Sequence, residues 1–286
     1  MKLLRYLSPQ NDTVELGMMT SQGVIPLTGW LEDSPACLLD LLTTPQSEKT
    51  LQTPIPMNAP GIPLDQITIL PPIQHPGKIL CVGLNYRDHV LEGGRKIPEF
   101  PTIFQKANSS IIGHQHPIQL PAASSKVDLE AELAVVIGKK ARNVTAKHAY
   151  EHVGGYTILN DVSERDYQNR TSQWTMGKSC DTFCPIGPVL VTKEDIPDPQ
   201  SLEIKSTLNG ITMQKSNTKH LIFTIPFLIE YISAVMTLEP GDIIATGTPG
   251  GVGVFRKPPI FLKPDDIVEI TIEGIGTLSN PVVGVV

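Results

Sequence analysis

The chain has 286 residues, 40% of them hydrophobic and 18% charged, enough apolar content for one large core or a large core with a small companion; a disordered or fibrous protein is excluded. A net charge of −6 without a dense run of Lys and Arg argues against a nucleic-acid partner, and an anionic ligand would have to be held by individual cations rather than by a global field. Four scattered cysteines, Cys37, Cys81, Cys180 and Cys184, are too few for a disulfide framework and fit a reducing compartment.

The start of the chain lacks the apolar run of a signal peptide, and its short alternation predicts a first strand. The longest uncharged apolar run, 221–229, is too short to span a membrane and carries Pro226. No membrane partner is expected. The expected compartment is the cytoplasm, with the mitochondrion as the alternative if a presequence is missing. Over residues 1–70 short apolar stretches alternate with turn residues, and the segment 44–72 is proline-rich without helical periodicity, which predicts a small β-rich N-terminal domain and a linker. The larger domain is expected over 71–286. Within it, strands are predicted at 78–82, 102–106, 128–137, 156–160, 187–191, 202–208, 242–246 and 267–272, and helices at 86–93, 163–171 and 224–235, the last with Pro226 in its first turn. Such a balance predicts an α+β fold, mainly β.

Five segments carry chemistry. In the first, His89 and Glu92 stand three apart on a predicted helix, so the carboxylate can orient the imidazole as a general base requires, and Gly93-Gly94 would let the helix move as a lid. The alternative is a chance pair on a surface helix. In the second, Asp128, Glu130 and Glu132 fall on one face of a predicted strand by its period of two. Neighbouring carboxylates beside a core strand repel one another, and persist only if protonated, paired or bound to a metal; all-oxygen ligands select Mg²⁺ or Mn²⁺. An exposed sheet face is the alternative. Asp161, after the apolar stretch 156–159, would be a third ligand. Ser163 then reads as a helix N-cap with Asp166 three residues on, and Arg165 and Gln168 share a helical face that could meet a substrate carboxylate or only solvent. The last two are Gly177-Lys178 and the glycine loop 246–253. That loop matches neither nucleotide-binding glycine motif, and would either bring backbone N–H groups close to a carboxylate or enolate or simply form a tight turn.

These residues together resemble the fumarylacetoacetate hydrolase family over 78–286. The resemblance rests on Gly83-Leu84-Asn85-Tyr86 with His89 and Glu92, on 128–138 with Glu130 and Glu132, and on Asn160-Asp161-Val162-Ser163 with Arg165-Asp166. It extends to Gly177-Lys178 with Asp181-Thr182-Phe183-Cys184-Pro185, and to Thr246-Gly247-Thr248-Pro249. The insertion Phe255-Arg256-Lys257-Pro258-Pro259 is similar to the second domain-containing branch of that family. The resemblance implies a rolled mixed β-sheet around the active site and a homodimer. It implies Glu130, Glu132 and Asp161 as ligands of Mg²⁺ or Mn²⁺, His89 and Glu92 as a lid dyad, and Lys178 beside the reacting carbonyl of a small α-keto acid. Arg165, Gln168 and Thr248 are implied as substrate contacts. The expected reaction is keto-enol tautomerisation of oxaloacetate. Acylpyruvate hydrolysis and oxaloacetate decarboxylation are the enzymatic alternatives, and a non-catalytic metal-binding protein is the alternative outside enzymes.

Overall fold

The run Ala131–Ile137 is buried at every position and divides its side chains between two cores: Leu133, Val135 and Ile137 join one apolar cluster, Ala134 and Val136 another. A strand buried on both faces belongs inside a sheet with both of its edges paired. In the computed structural model, which describes residues 1–28, 37–43 and 61–284, it pairs antiparallel with Val153–Asn160 on one side and with Ile243–Ala245 on the other. Ile243–Ala245 in turn runs parallel to Ile79–Gly83, which pairs antiparallel with Thr102–Lys106 at the edge. On the opposite flank Val153–Asn160 pairs with Cys184–Thr192, and Cys184–Thr192 with the first strand, Lys2–Leu7. Lys2–Leu7 continues into an antiparallel series with Val14–Thr20 and Gly23–Pro26, so the described N-terminal strands share this sheet.

A second sheet of five strands runs in the spatial order Ile211–Asn217, Glu203–Leu208, Ile267–Ile272, Gly276–Val283, Ile118–Gln119. Its Ile204, Ile270, Ile272 and Leu278 pack into the same cluster as Leu133 and Val135, which fixes the two sheets face to face. The helix Ile225–Val235 buries Ile225, Leu228, Ile229 and Ile232, one stripe at helical spacing, and is capped by the Thr224 hydroxyl, which accepts from the N–H of Phe227. Among the described residues no helix is long and apolar enough to cross a membrane. The class is α+β, mainly β, with a mixed sheet, as expected.

Three local expectations need correction. The strand expected over 128–137 is two, Val127–Asp128 and Ala131–Ile137. The ladder breaks because side-chain amides take its N–H groups: Glu130 donates to Asn160 Oδ1 and Ala131 to Gln214 Oε1. The helix expected over 163–171 starts later and is shorter. Ser163–Glu164 pair as a strand with Val127–Asp128, and the helix is Arg165–Gln168. Its cap is Glu164, whose carboxylate accepts from the N–H groups of Asp166 and Tyr167, not Ser163. Strands at Ile211–Asn217 and Gly276–Val283 were not expected, because neither carries a sustained apolar run. Of the proline-rich segment, 44–60 lies outside the described residues.

Candidate metal centre and active site

Several strands of the main sheet end at one place. Glu132 lies opposite Leu159, one pair from the start of its strand, and Asp161 follows directly after Asn160 at the end of the neighbouring strand. Ala245 leads into Thr246-Gly247-Thr248, and Gly83 closes its strand alongside. Chain ends free of the ladder are where backbone and side chains can turn toward a ligand rather than toward each other.

At this end one carboxylate oxygen each from Glu130, Glu132 and Asp161 lies within 4.8 Å of the other two. All three residues are buried, with relative exposures of 5%, 2% and 0%, so the exposed sheet face considered from sequence does not form. Their partners differ. Glu130 accepts from Arg165 Nη1 at 2.6 Å and Lys178 Nζ at 2.9 Å, and Asp161 from Lys178 Nζ and Lys106 Nζ, each at 2.7 Å. Glu132 accepts a backbone bond from Gly247 at 2.7 Å. Gly247 has φ +109°, and an added Cβ would meet the Asn85 Cβ at 2.7 Å, so a side chain there would displace this donor.

The electrostatics follow from these partners. Burial opposes ionisation of Glu130, but Lys178 and Arg165 outweigh it and hold the carboxyl well below its usual range. Burial pushes Glu132 well above the usual range, and the neighbouring charges of Asp161 and Glu130 push it further than the Gly247 N–H and Lys178 pull it back. Burial works against the Lys178 charge, yet Asp161 and Glu130 raise its pKa. One carboxylate of the triad is thus short of positive charge, and with the two beside it makes three converging hard oxygen donors. This donor set fits a divalent cation.

Because Glu132 holds its proton more tightly than a free carboxylate, a metal that needs the ionised form must displace that proton. Affinity for Mn²⁺ is therefore expected to rise with pH up to the raised pKa of Glu132, with uptake of the ion releasing protons. Titration calorimetry in two buffers of different ionisation enthalpy checks this; equal apparent enthalpies would show that no proton leaves.

The other residues singled out in the sequence gather around the same cavity, about 110 Å³, which suits a ligand of a few heavy atoms. His89, Arg165, Gln168, Lys178 and Thr248 line it together with the triad. His89 lies on the helix Arg87–Glu92 and its Nδ1 hydrogen-bonds Glu92 Oε1 at 2.8 Å. Glu92 Oε2 accepts from the Gly251 N–H at 2.7 Å, which ties the helix to the glycine loop. The Phe255 ring, from the insertion, packs 6.0 Å from the imidazole, centroid to centroid. Arg165 is heavily engaged: Nε and Nη2 donate to Asp128 Oδ2, and Nη1 to Glu130 and Gln168. Asp128 also accepts from the N–H groups of Gly253 and Val254, so it anchors Arg165 and the glycine loop at once and stands outside the triad.

Sequence reasoning missed several contributors. Lys106 is a single cation at the end of a strand, which carries no signal in one dimension, yet its buried ammonium bonds Asp161 and the carbonyls of Val162 and Lys178. Gln214 comes from the second sheet and donates to Thr248 Oγ1 and the Pro249 carbonyl while accepting from Ala131. Phe104 and Trp174, edge to face at 5.4 Å, form an apolar wall. Arg95 lines the cavity as well. Behind the site Cys81 and Cys184 are buried, and burial pushes both thiols up, Cys184 to about 12, which disqualifies them as nucleophiles.

Comparison with known proteins gives the family. The family model described as fumarylacetoacetate (FAA) hydrolase C-terminal matches residues 78–283. A Xenopus laevis protein named "Oxaloacetate tautomerase fahd2, mitochondrial" is 43% identical over 288 residues, covering 99% of this chain and 90% of that protein. The crystal structure of 5-carboxymethyl-2-hydroxymuconate delta-isomerase from Mycobacterium smegmatis is similar with a TM-score of 0.79 at 39% identity, covering 99% of this chain and 100% of that one. Maleylpyruvate hydrolase from Sphingobium sp. SYK-6, in complex with manganese (II) ion and pyruvate, is similar with a TM-score of 0.83 at 32% identity, covering all of both chains.

Proposed function

Because this chain belongs to the fumarylacetoacetate hydrolase family, we propose that it is a divalent-metal-dependent tautomerase that interconverts the enol and keto forms of oxaloacetate. The observation that carries this reading is a single oriented base in the cavity wall. His89 is hydrogen-bonded to Glu92 through Nδ1, which leaves Nε2 for proton transfer in the cavity that the three carboxylates and Lys178 also line.

A divalent ion held by Glu130, Glu132 and Asp161 would supply Lewis acidity to the 2-keto-acid end of the substrate; Mg²⁺ is the first choice for this all-oxygen set, and Mn²⁺ the alternative. In the keto-to-enol direction neutral His89 takes a proton from C3 through Nε2. Glu92 accepts from the Nδ1–H and stabilises the imidazolium. Lys178 donates to the C2 oxygen as negative charge grows there. The imidazolium then returns its proton to that oxygen, and the reverse direction retraces these steps. Gln168 and the second Nη2–H of Arg165, the one not donated to Asp128, hold the C1 carboxylate, with Thr248 on the loop side. Phe104 and Trp174 keep water from the reacting carbon.

Acylpyruvate hydrolysis is the second reading. It is favoured by the likeness to the maleylpyruvate hydrolase, and would use His89 to activate water against a second carbonyl. The mitochondrial label on the Xenopus relative favours the mitochondrion over the cytoplasm as the compartment.

The test is to add freshly dissolved enol-oxaloacetate to the protein with Mg²⁺ or Mn²⁺, following enol absorbance and the proton NMR signals of the keto form and pyruvate together. Enol decay faster than in buffer with metal alone, without added pyruvate, is expected. Pyruvate as the main product would make the protein a decarboxylase. No acceleration, together with cleavage of acetylpyruvate, would make it a hydrolase.

A further inference from the structure

The geometry points to Arg95 as the residue that selects a dicarboxylic 2-keto acid, its guanidinium pairing with the carboxylate distal to the keto group. This rests on the tautomerase reading above for the near end of the substrate, but its argument concerns the far end.

The cations around the cavity divide sharply. Lys178 is held between Glu130 and Asp161, Arg165 by Asp128, Glu130 and Gln168, and Lys106 by Asp161 and two carbonyls. Arg95 lines the same cavity, yet among the described residues no ion pair or side-chain hydrogen bond engages its guanidinium. Its backbone is nevertheless fixed. The Arg95 N–H donates to the Val90 carbonyl at 3.0 Å, across the left-handed turn at Gly94, φ +64°. Arg95 is thereby carried on the helix that carries His89, and any movement of that helix moves base and cation together.

Charge balance gives this free cation a task. In the ion-pair network at the triad, Asp128, Glu130, Glu132 and Asp161 stand against Lys106, Arg165 and Lys178, one excess negative charge when all are ionised. A divalent ion reverses this to one excess positive charge, which a monoanionic keto acid neutralises by itself. A dianionic keto acid brings one charge more than that interior can answer, and its distal carboxylate needs a separate cation. Arg95 supplies one at the mouth of the cavity, with a planar fork that matches a carboxylate in two parallel hydrogen bonds. Because the residue is exposed, replacing it leaves no buried charge stranded.

The experiment compares wild type, Arg95→Gln and Arg95→Lys, loaded with Mn²⁺, on oxaloacetate and on its 4-methyl ester, which keeps the keto acid and C3 but masks the distal charge. Wild type is expected to prefer oxaloacetate in kcat/KM. Arg95→Gln should lose roughly 10-fold or more of that preference, chiefly through KM, and Arg95→Lys should keep part of it. If Arg95→Gln keeps the wild-type ratio between the two substrates, whether both activities fall or neither does, the assignment is overturned. If wild type turns over neither compound, the tautomerase reading fails separately. Calorimetry then decides the pairing: loss in Arg95→Gln of selectivity for oxaloacetate over pyruvate supports it, and unchanged selectivity overturns it.

Discussion

Glu132→Gln is expected to yield a folded protein that no longer takes up Mg²⁺ or Mn²⁺ measurably and has lost turnover by roughly a thousand-fold or more, the several kcal/mol that metal polarisation contributes to such reactions. Glutamine keeps the shape, and its Oε1 can still accept from the Gly247 N–H, so packing survives. What disappears is the ligand charge. Glu132 is buried at 2% exposure with Asp161 and Glu130 beside it, an arrangement that disfavours its ionised form until a cation arrives. The sign for stability follows. A carboxyl whose folded pKa lies above its unfolded value binds more protons folded than unfolded, so the metal-free wild type loses stability as pH rises from the ordinary carboxylate value toward the raised one. In Glu132→Gln that slope is removed. Melting temperatures across this pH range, with and without Mn²⁺, separate the two effects: wild type gains stability from the ion, increasingly so at higher pH, and the variant gains none. Retained metal binding in Glu132→Gln would take this residue out of the site.

His89→Ala should separate chemistry from metal binding. Loss of a positioned general base costs roughly 10²- to 10⁴-fold in rate, so enol decay should fall close to the rate in buffer with metal. Affinity for Mn²⁺ should hold, because the side chain of His89 bonds Glu92 rather than any carboxylate of the triad. Glu92→Gln is expected to give a smaller loss: the imidazole keeps a hydrogen-bond partner but loses the charge that stabilises its protonated form, and the Gly251 N–H can still find an acceptor at this position. Single-turnover kinetics with calorimetry on the same samples checks both. Full activity in His89→Ala would assign proton transfer elsewhere. Equal loss of activity and metal affinity would mean that His89 serves the metal site instead.

Much of the site was legible in one dimension because its chemistry is written in short segments. Glu132 lies on an apolar strand, Glu130 directly before it and Asp161 directly after another, so each carboxylate stands on or next to a strand whose identity its neighbours already declare. His89 and Glu92 are three apart on a helix of six residues, a contact that helical geometry alone produces. Where the reading slipped, long-range partners had overridden a local pattern. The side chains of Asp128 and Asn160 took the N–H groups of Leu129 and Glu130 that would have continued the strand, and pairing of Ser163 with Asp128 delayed the helix that Ser163 was expected to cap.

The sequence by itself determined the class of fold and, through its motifs, the resemblance to the family, and it showed the pairs Glu130–Glu132 and His89–Glu92, which depend on residue type at spacings of two and three; that Asp161, 29 residues beyond Glu132, meets the two glutamates is a product of strand pairing. The tertiary structure alone decided which cations answer which carboxylates. Arg165 and Asp128 stand 37 residues apart, Lys178 and Glu130 48, Lys106 and Asp161 55, and Gln214 and Ala131 83. A lone lysine or glutamine leaves no periodic trace, and its partner is chosen only when strands from different parts of the chain end at the same place. The same closure leaves Glu132 short of positive charge and, among the described residues, the Arg95 guanidinium without a partner, because Coulomb interactions depend on distance in space and burial, neither of which a sequence displays.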